Sequence, residues 1–323
     1  MTLLLALCLS LMLCLLLLSR FSPLKIVDAP NERSLHQMPT PRTGGVAIIL
    51  AILIAWVVQF LLHGMPETMG LIVFSALMVA GVSFVDDLRE LSPLIRITVH
   101  ALAAVALLSG GLLMFDGWFG ILFTWLAIIW MLNLYNFMDG MDGFSAGMTL
   151  FGFGFLASAG WLQGNNEYAM YCATIAASAL GFLYLNFPPA KMFMGDIGSA
   201  TLGLLAAAFS LWGIKDGLFD WWFPLLVFSP FVVDATVTLI HRILNRERIW
   251  EAHCSHYYQR LVQLGWGHKK TVLAEYVLIM LVGSSALLLN LLQNTALICS
   301  VMLGWVVLYI LMALQVHRLE ADK

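Results

Sequence analysis

Long uncharged apolar runs recur from one end of this chain to the other, and they limit its folding more than any other feature. Residues 3–19 read LLLALCLSLMLCLLLLS without a single charge. A helix needs roughly 20 such residues to cross a bilayer, whereas an outer-membrane barrel strand needs only about ten, alternating in polarity. Eleven runs of the longer kind can be read, at about 3–19, 45–62, 70–85, 97–114, 118–135, 144–161, 168–185, 199–213, 222–240, 272–290 and 296–316. The sequence therefore predicts an all-α, polytopic integral membrane helical bundle with about 11 transmembrane helices. Composition agrees: the 323 residues are 61% hydrophobic and 11% charged, against roughly 25% charged in soluble domains.

No soluble segment, low-complexity linker or repeat interrupts these runs, so residues 1–323 are expected to form one transmembrane domain. The first run has no Lys or Arg before it and no small-x-small cleavage site after it, so it reads as a retained helix rather than a signal peptide. Five scattered cysteines, Cys8, Cys14, Cys172, Cys254 and Cys299, lie mostly inside apolar runs and read as small core residues. A net charge of −3 offers nothing to a nucleic acid.

The basic residues sort sharply between alternate loops. Of 16 Lys and Arg, only Lys215 falls on one side; the rest lie in 20–44, 85–96, 133–143, 186–198, 241–271 and 317–323. The positive-inside rule makes that set cytoplasmic, the N-terminus periplasmic and the C-terminus cytoplasmic. An odd number of spans requires opposite termini, so the two readings agree. Every polar cluster falls on the cytoplasmic side, and the other loops are short and plain.

Five clusters carry candidate chemistry. In FVDDLRELSPLIR, Asp86 and Asp87 are adjacent at a helix end, where like charges are costly unless cations offset them; Arg89 and Arg96 are at hand. In NLYNFMDGMDGFS, Asn133, Asn136, Asp139 and Asp142 recur every three residues, and Gly140 and Gly143 permit tight turns. Helix caps would explain one of these acids but not two acids and two amides. In NFPPAKMFMGDIGS, Asp196 opens the next span with Lys191 nearby, a pair suited to a phosphate held with a cation. The 241–271 loop holds His253 and His256, on one face if helical, beside Arg260; zinc would need further ligands that the spacing does not offer. In VDAPNERSLHQMPTPRTGG, prolines keep the chain extended, with His36 and Arg42 available to an anion. Asp234 and His100, near helix ends, read as buried and paired.

Carboxylates for a divalent cation and basic groups for phosphates, gathered on one membrane face, suggest an enzyme that joins a soluble phosphorylated donor to a lipid. Carboxylate and phosphate oxygens together suit Mg²⁺. The motif series DAPNERSLHQMPTPRTGG, VDD, NLYNFMDGMDG, FNFPPAKMFMGDIGS and HCSHYYQRL resembles the polyprenyl-phosphate N-acetylhexosamine-1-phosphate transferase family, glycosyltransferase family 4, over essentially the whole chain. The H-x-x-H spacing departs from the H-H-H or H-x-H of the cell-wall branch and looks closest to members that start bacterial O-antigen and related surface glycans.

The resemblance implies that undecaprenyl phosphate attacks the sugar-linked phosphorus of a UDP-N-acetylhexosamine-type donor and that UMP leaves. It implies a multi-pass protein of the bacterial inner membrane with its site facing the cytoplasm, and it allows a homodimer. By motif match, Asp196 would be the chief Mg²⁺ ligand (Mn²⁺ as an alternative) and Asn136 the second. Asp86 would act as base or orienting group for the lipid phosphate, with Asp87 beside it. Asp139 and Asp142 would position the nucleotide, and Phe193 would stack on uracil with Asn186 nearby. Asn133, Lys191, Arg96, Arg42, His36, His253, His256 and Arg260 would serve phosphates or sugar.

Three rival readings fit less well. The CDP-alcohol phosphotransferase motif begins at Asp139 and Asp142 but fails at Gly147, where it needs Arg, and again at Leu156, Gly160 and Gly164. An intramembrane aspartyl protease needs two acids in mid-membrane. An ion-coupled transporter also keeps its ionisable residues near the midplane, and this chain puts almost none there.

Overall fold

The computed structural model describes all residues except 21, 23, 25, 31–34, 36–37, 249–252 and 323. The chain is an all-α membrane protein, its only sheet among the described residues a two-residue antiparallel pair, Val27–Asp28 with Thr40–Pro41. The helices are α1 (Thr2–Leu18), α2 (Gly44–His63), α3 (Glu67–Leu88), α4 (Pro93–Ser109), α5 (Gly117–Phe137), α6 (Phe144–Leu162), α7 (Asn166–Asn186), α8 (Asp196–Lys215), α9 (Trp222–Val227), α10 (Ser229–Leu244), α11 (Tyr257–Leu261), α12 (Gly267–Leu292) and α13 (Thr295–Ala321). A π-helical turn, Val262–Trp266, joins α11 to α12. Among the described residues, eight helical stretches are long and apolar enough to cross a membrane: α2, α3, α5, α6, α7, α8, the continuous Tyr257–Leu292 stretch and α13. The apolar helices α1 and α4 are shorter, at 17 residues each.

The bundle is built around α8. All of its residues from Ile197 to Gly213 are buried, and it packs against α2, α3, α5 and α6. Its sequence, DIGSATLGLLAAAFSLWGIK, explains this centrality, because lipid tails drive no helix association and small residues allow the close backbone contact that does. A methyl group on Gly203 would lie 2.7 Å from the carbonyl oxygen of Met131 in α5, and one on Gly45 in α2 would lie 2.3 Å from the amide nitrogen of Gly198. These contacts bring the starts of α2 and α8 and the end of α5 to one end of the bundle.

Three sequence-based expectations change. The ninth span, read as continuous over 222–240, is broken at Phe228 between α9 and α10. Pro230 lies in the first turn of α10, where its missing N–H costs no intrahelical bond. The 85–96 loop shrinks to 89–92, so Asp86 and Asp87 are helical and Arg96 belongs to α4. His253 and His256 are not on a helix face. They precede α11, with ring centroids 4.8 Å apart, and His256 is the N-cap residue.

Candidate active site

The segment entering α2 and the segment entering α8 lie side by side. Phe193 N–H donates to Pro41 O, Gly44 N–H to Phe193 O and Gly45 N–H to Met194 O, at 2.8, 3.0 and 2.7 Å. The chain then turns through Gly195, where φ is +76°. A side chain there would be strained by that angle and would also lie 2.7 Å from Arg42 O. The turn leaves the first amides of α8 pointing at α3. Asp87 accepts from Asp196 N–H at 3.2 Å and from Ile197 N–H at 3.0 Å, so a buried carboxylate satisfies amides that no helix can satisfy internally. Arg42 donates to Asp87 O at 2.9 Å, with its Nε 3.8 Å from Asp87 Oδ1.

Asp86 is held separately. Its Oδ1 accepts from Leu91 N–H at 2.7 Å and its Oδ2 from Arg96 at 2.9 Å. The same guanidinium nitrogen lies 3.5 Å from Asp196 Oδ2. Arg96 thus bridges two carboxylates from different helices and offsets a repulsion that would otherwise disfavour bringing them together.

The loop between α5 and α6 completes the site. Asn136, in the last turn of α5, accepts from Ser199 of α8 at 3.3 Å. Gly143 has φ +76° and donates its N–H to Asn186 Oδ1 at 2.9 Å. Asn186 Nδ2 donates to Met192 O, so both ends of that amide are engaged. Tyr258 donates to Phe137 O at 3.1 Å, and Tyr276 donates to Gly143 O at 2.6 Å. Two tyrosines from the α11–α12 stretch therefore grip the two ends of the loop. Asp234 of α10 supports one of them, accepting from Tyr257 N–H and Tyr258 N–H at 3.0 and 3.1 Å, with His256 Nδ1 3.1 Å away.

A cavity of about 390 Å³ opens between these elements, a size suited to a small organic ligand. Its walls include Arg42, Asn136, Asp139, Asp142, Asn186, Phe193, Asp196, His253, Gln259 and His268. Burial pushes the Asp139 carboxyl well above the ordinary carboxylate range, and the nearby carboxylates of Asp196 and Asp87 add to the shift. Among the described residues no three His, Cys, Asp or Glu side chains form a ready-made metal cage. The donor set nonetheless fits a hard divalent cation that takes one or two carboxylates from the protein and the rest from phosphate and water. Asp196, Asn136 and Asp139 all offer oxygen to the same space.

The sequence pattern of glycosyl transferase family 4 matches residues 69–214, a stretch that contains Asp86, Asp87, the 133–143 loop and Asp196. A protein of Bacillus subtilis (strain 168), named a probable undecaprenyl-phosphate N-acetylglucosaminyl 1-phosphate transferase, is 32% identical over 82% of this chain and 77% of its own length. The chain belongs to glycosyl transferase family 4. The decaprenyl-phosphate N-acetylglucosaminephosphotransferase of Mycobacterium leprae (strain TN) is 29% identical over 88% of this chain and 82% of its own. A phospho-N-acetylmuramoyl-pentapeptide-transferase of Lactiplantibacillus plantarum is 31% identical over 53% of this chain and 61% of its own.

In this family 4 member, the sequence-predicted residues divide. Asn136, Asp139, Asp142, Asn186, Phe193, Asp196, Arg42 and His253 line one cavity. Asp86, Asp87 and Arg96 form the charged network behind Asp196. Four others are not brought to the cavity. Asn133 donates to Ile129 O of its own helix at 2.7 Å. Lys191 is exposed and does not line the space. Arg260 pairs with Glu320 of α13 through two hydrogen bonds. His256 is buried on Asp234, where it caps α11. His36 lies outside the described residues. His100 is buried as expected, but its Nδ1 has no partner among the described residues.

His268, Gln259, Tyr258 and Tyr276 were missed by sequence reasoning. They lie in or beside a basic loop whose charge explains itself by topology, and only the hydrogen-bonding capacity of each side chain hinted at more.

Proposed function

We propose that this protein transfers an N-acetylhexosamine-type sugar-1-phosphate from a UDP-sugar to undecaprenyl phosphate, releasing UMP. The reaction would run at the cytoplasmic face of the bacterial inner membrane, in a bundle of eleven crossings, as the first membrane step of O-antigen or a related surface glycan. One observation carries this reading: Asp196, Asn136 and Asp139 share a single cavity with Arg42 and Phe193 at one end of a membrane bundle. The names of the relatives supply the rest, since they share a polyprenyl phosphate and an N-acetylated amino-sugar phosphate.

An oxygen of the lipid phosphate forms a bond to the sugar-linked phosphorus, and the bond from that phosphorus to the UMP oxygen breaks. Such a transfer needs an in-line pose and relief of charge repulsion rather than covalent help from the protein. Asp196 would hold Mg²⁺, or Mn²⁺ in its place, with Asn136 second. When bound, the ion would lower the charge on the leaving phosphate. Arg42 would attract phosphate oxygens, and His253 would face sugar or phosphate. Arg96 would fix Asp86 and Asp196 relative to each other. Both oxygens of Asp86 are engaged by Leu91 and Arg96, which favours direct attack by the lipid over a covalent Asp86 intermediate. Exchange of labelled UMP into UDP-sugar without lipid would count against direct attack.

The deciding assay incubates purified full-length protein with a panel of UDP-N-acetylhexosamines. UMP release that requires both Mg²⁺ and polyprenyl phosphate is the expected result; no release from any donor sinks the reading. Asp196→Asn should remain folded and lose Mg²⁺-dependent turnover.

A further inference from the structure

A second cavity, of about 320 Å³, opens among α10, α11, α12 and α13 and shares no lining residue with the first. Its walls are mostly apolar, with Val233, Leu278 and Val316 among them. Val237, Val306 and Ile310 in the same walls are exposed, so the space is not sealed from the surrounding bilayer. Two acids also line it, Asp234 and Glu275, and among the described residues no Lys, Arg or His does.

The polar groups of this cavity differ in how far they are satisfied. Asp234 is spent: Oδ1 accepts from Tyr257 N–H and Thr238 Oγ1 at 3.0 and 3.1 Å, and Oδ2 from Tyr258 N–H at 3.1 Å. Tyr309 Oη lies 2.7 Å from Ser229 Oγ, and Tyr257 Oη lies 3.4 Å from His317 Nε2. Glu275 has neither a hydrogen bond nor an ion pair among the described residues. It sits about two turns into α12, in a stretch apolar enough to cross a membrane. An acid placed there is costly unless a complementary group pairs with it, and it marks a binding site by default.

The missing partner is a cation with N–H donors, and the apolar walls require that it be carried on an apolar molecule. An anionic lipid such as a polyprenyl phosphate has no such group to offer. Just outside the cavity, the Arg260 guanidinium stands over the Tyr257 ring, 4.7 Å from its centroid, with His317 on the other side of the Tyr257 hydroxyl. Basic groups near the mouth and an acid within suit a headgroup that carries both a phosphate and an ammonium.

We propose that this cavity binds one membrane phospholipid whose headgroup ends in a primary ammonium, which donates to the Glu275 carboxylate while an acyl chain fills the apolar space. Asp234 and Tyr257 belong both to this wall and to the support of Tyr258, whose hydroxyl holds Phe137 O. The lipid therefore lies close behind the loop of the candidate active site.

The test is native mass spectrometry of delipidated full-length protein in a neutral detergent. It is titrated in turn with phosphatidylethanolamine, phosphatidylcholine and phosphatidylglycerol of identical acyl chains. Wild type should bind one phosphatidylethanolamine about tenfold more tightly than either of the others, the span of one charge-assisted hydrogen bond. Phosphatidylcholine has the positive charge but no N–H, and phosphatidylglycerol has neither. Glu275→Gln, of nearly the same size, should bring the three affinities within about twofold. Ala313→Phe, which places a ring in the cavity from α13, should weaken all three; thermal unfolding checks that both variants are folded. Equal binding of the three lipids by wild type, or a headgroup preference that survives in Glu275→Gln, overturns the proposal. The readout uses no nucleotide sugar, so the result is independent of the UDP-sugar reading.

Discussion

At the scale of single residues, the site is organised by what each carboxylate accepts. Asp87 is buried and takes two backbone N–H bonds from α8. Asp87→Asn would turn one of those contacts donor to donor, at about 1–3 kcal/mol for the amide left unsatisfied. The expected outcome is a lower unfolding temperature together with reduced turnover, because the Gly195–Asp196 turn loses its anchor; unchanged heat stability in detergent would count against this role. At Asp139 burial decides the outcome. An acid whose carboxyl is raised by burial binds its proton more tightly folded than unfolded, so stability falls as pH rises above the ordinary carboxylate value. Asp139→Asn should therefore unfold at a higher temperature than wild type at pH 8 in EDTA, and the gain should shrink by pH 5. A gain that is equal at both values would refute the assignment.

The polar motifs were legible in the sequence because acids and amides are costly in so apolar a chain, and Asp86, Asp87, Asn136, Asp139 and Asp196 all lie at or directly behind the cavity. Asn133 was not legible, since period-three spacing matches one helix face only approximately and the amide turns back to Ile129. Arg260 was not legible either, because its partner Glu320 lies on another helix far along the chain.

At the scale of elements, small residues decide which helices touch. Gly203 meets backbone atoms of α5 that cannot move aside, whereas a methyl group on Gly154 of α6 would meet nothing within 4 Å. Gly203→Ala should push α5 from α8, separating Asn136 from Asp196, and lower both activity and thermal stability. Gly154→Ala should be neutral or stabilising by up to about 1 kcal/mol, from helix propensity alone. Equal effects in the two variants would argue against close packing as the cause. The positions of most helices followed from apolar run length. The break at Phe228 did not, although Pro224 and Pro230 were visible, because run length records apolarity and not the direction of the chain.

At the scale of the whole molecule, the last helix is joined by side-chain bonds more than by burial. Val316 is the only buried residue of α13; Arg260 pairs with Glu320, Ser229 Oγ lies 2.7 Å from Tyr309 Oη, and Trp305 Nε1 donates to Ser285 Oγ at 3.0 Å. Partly exposed ion pairs contribute about 0.2–1 kcal/mol. Arg260→Ala should accordingly leave KM for the donor within about twofold and loosen α13, measured as faster proteolysis near residue 294. A large rise in donor KM would return Arg260 to the substrate site.

The grip of Tyr258 and Tyr276 on the 137–143 loop has a consequence for how the protein is made. The loop leaves the ribosome well before the segment that holds it. Until α12 has been inserted, the nascent chain carries every acidic motif without the groups that tie the loop ends together, so the ability to turn over substrate arrives late in synthesis.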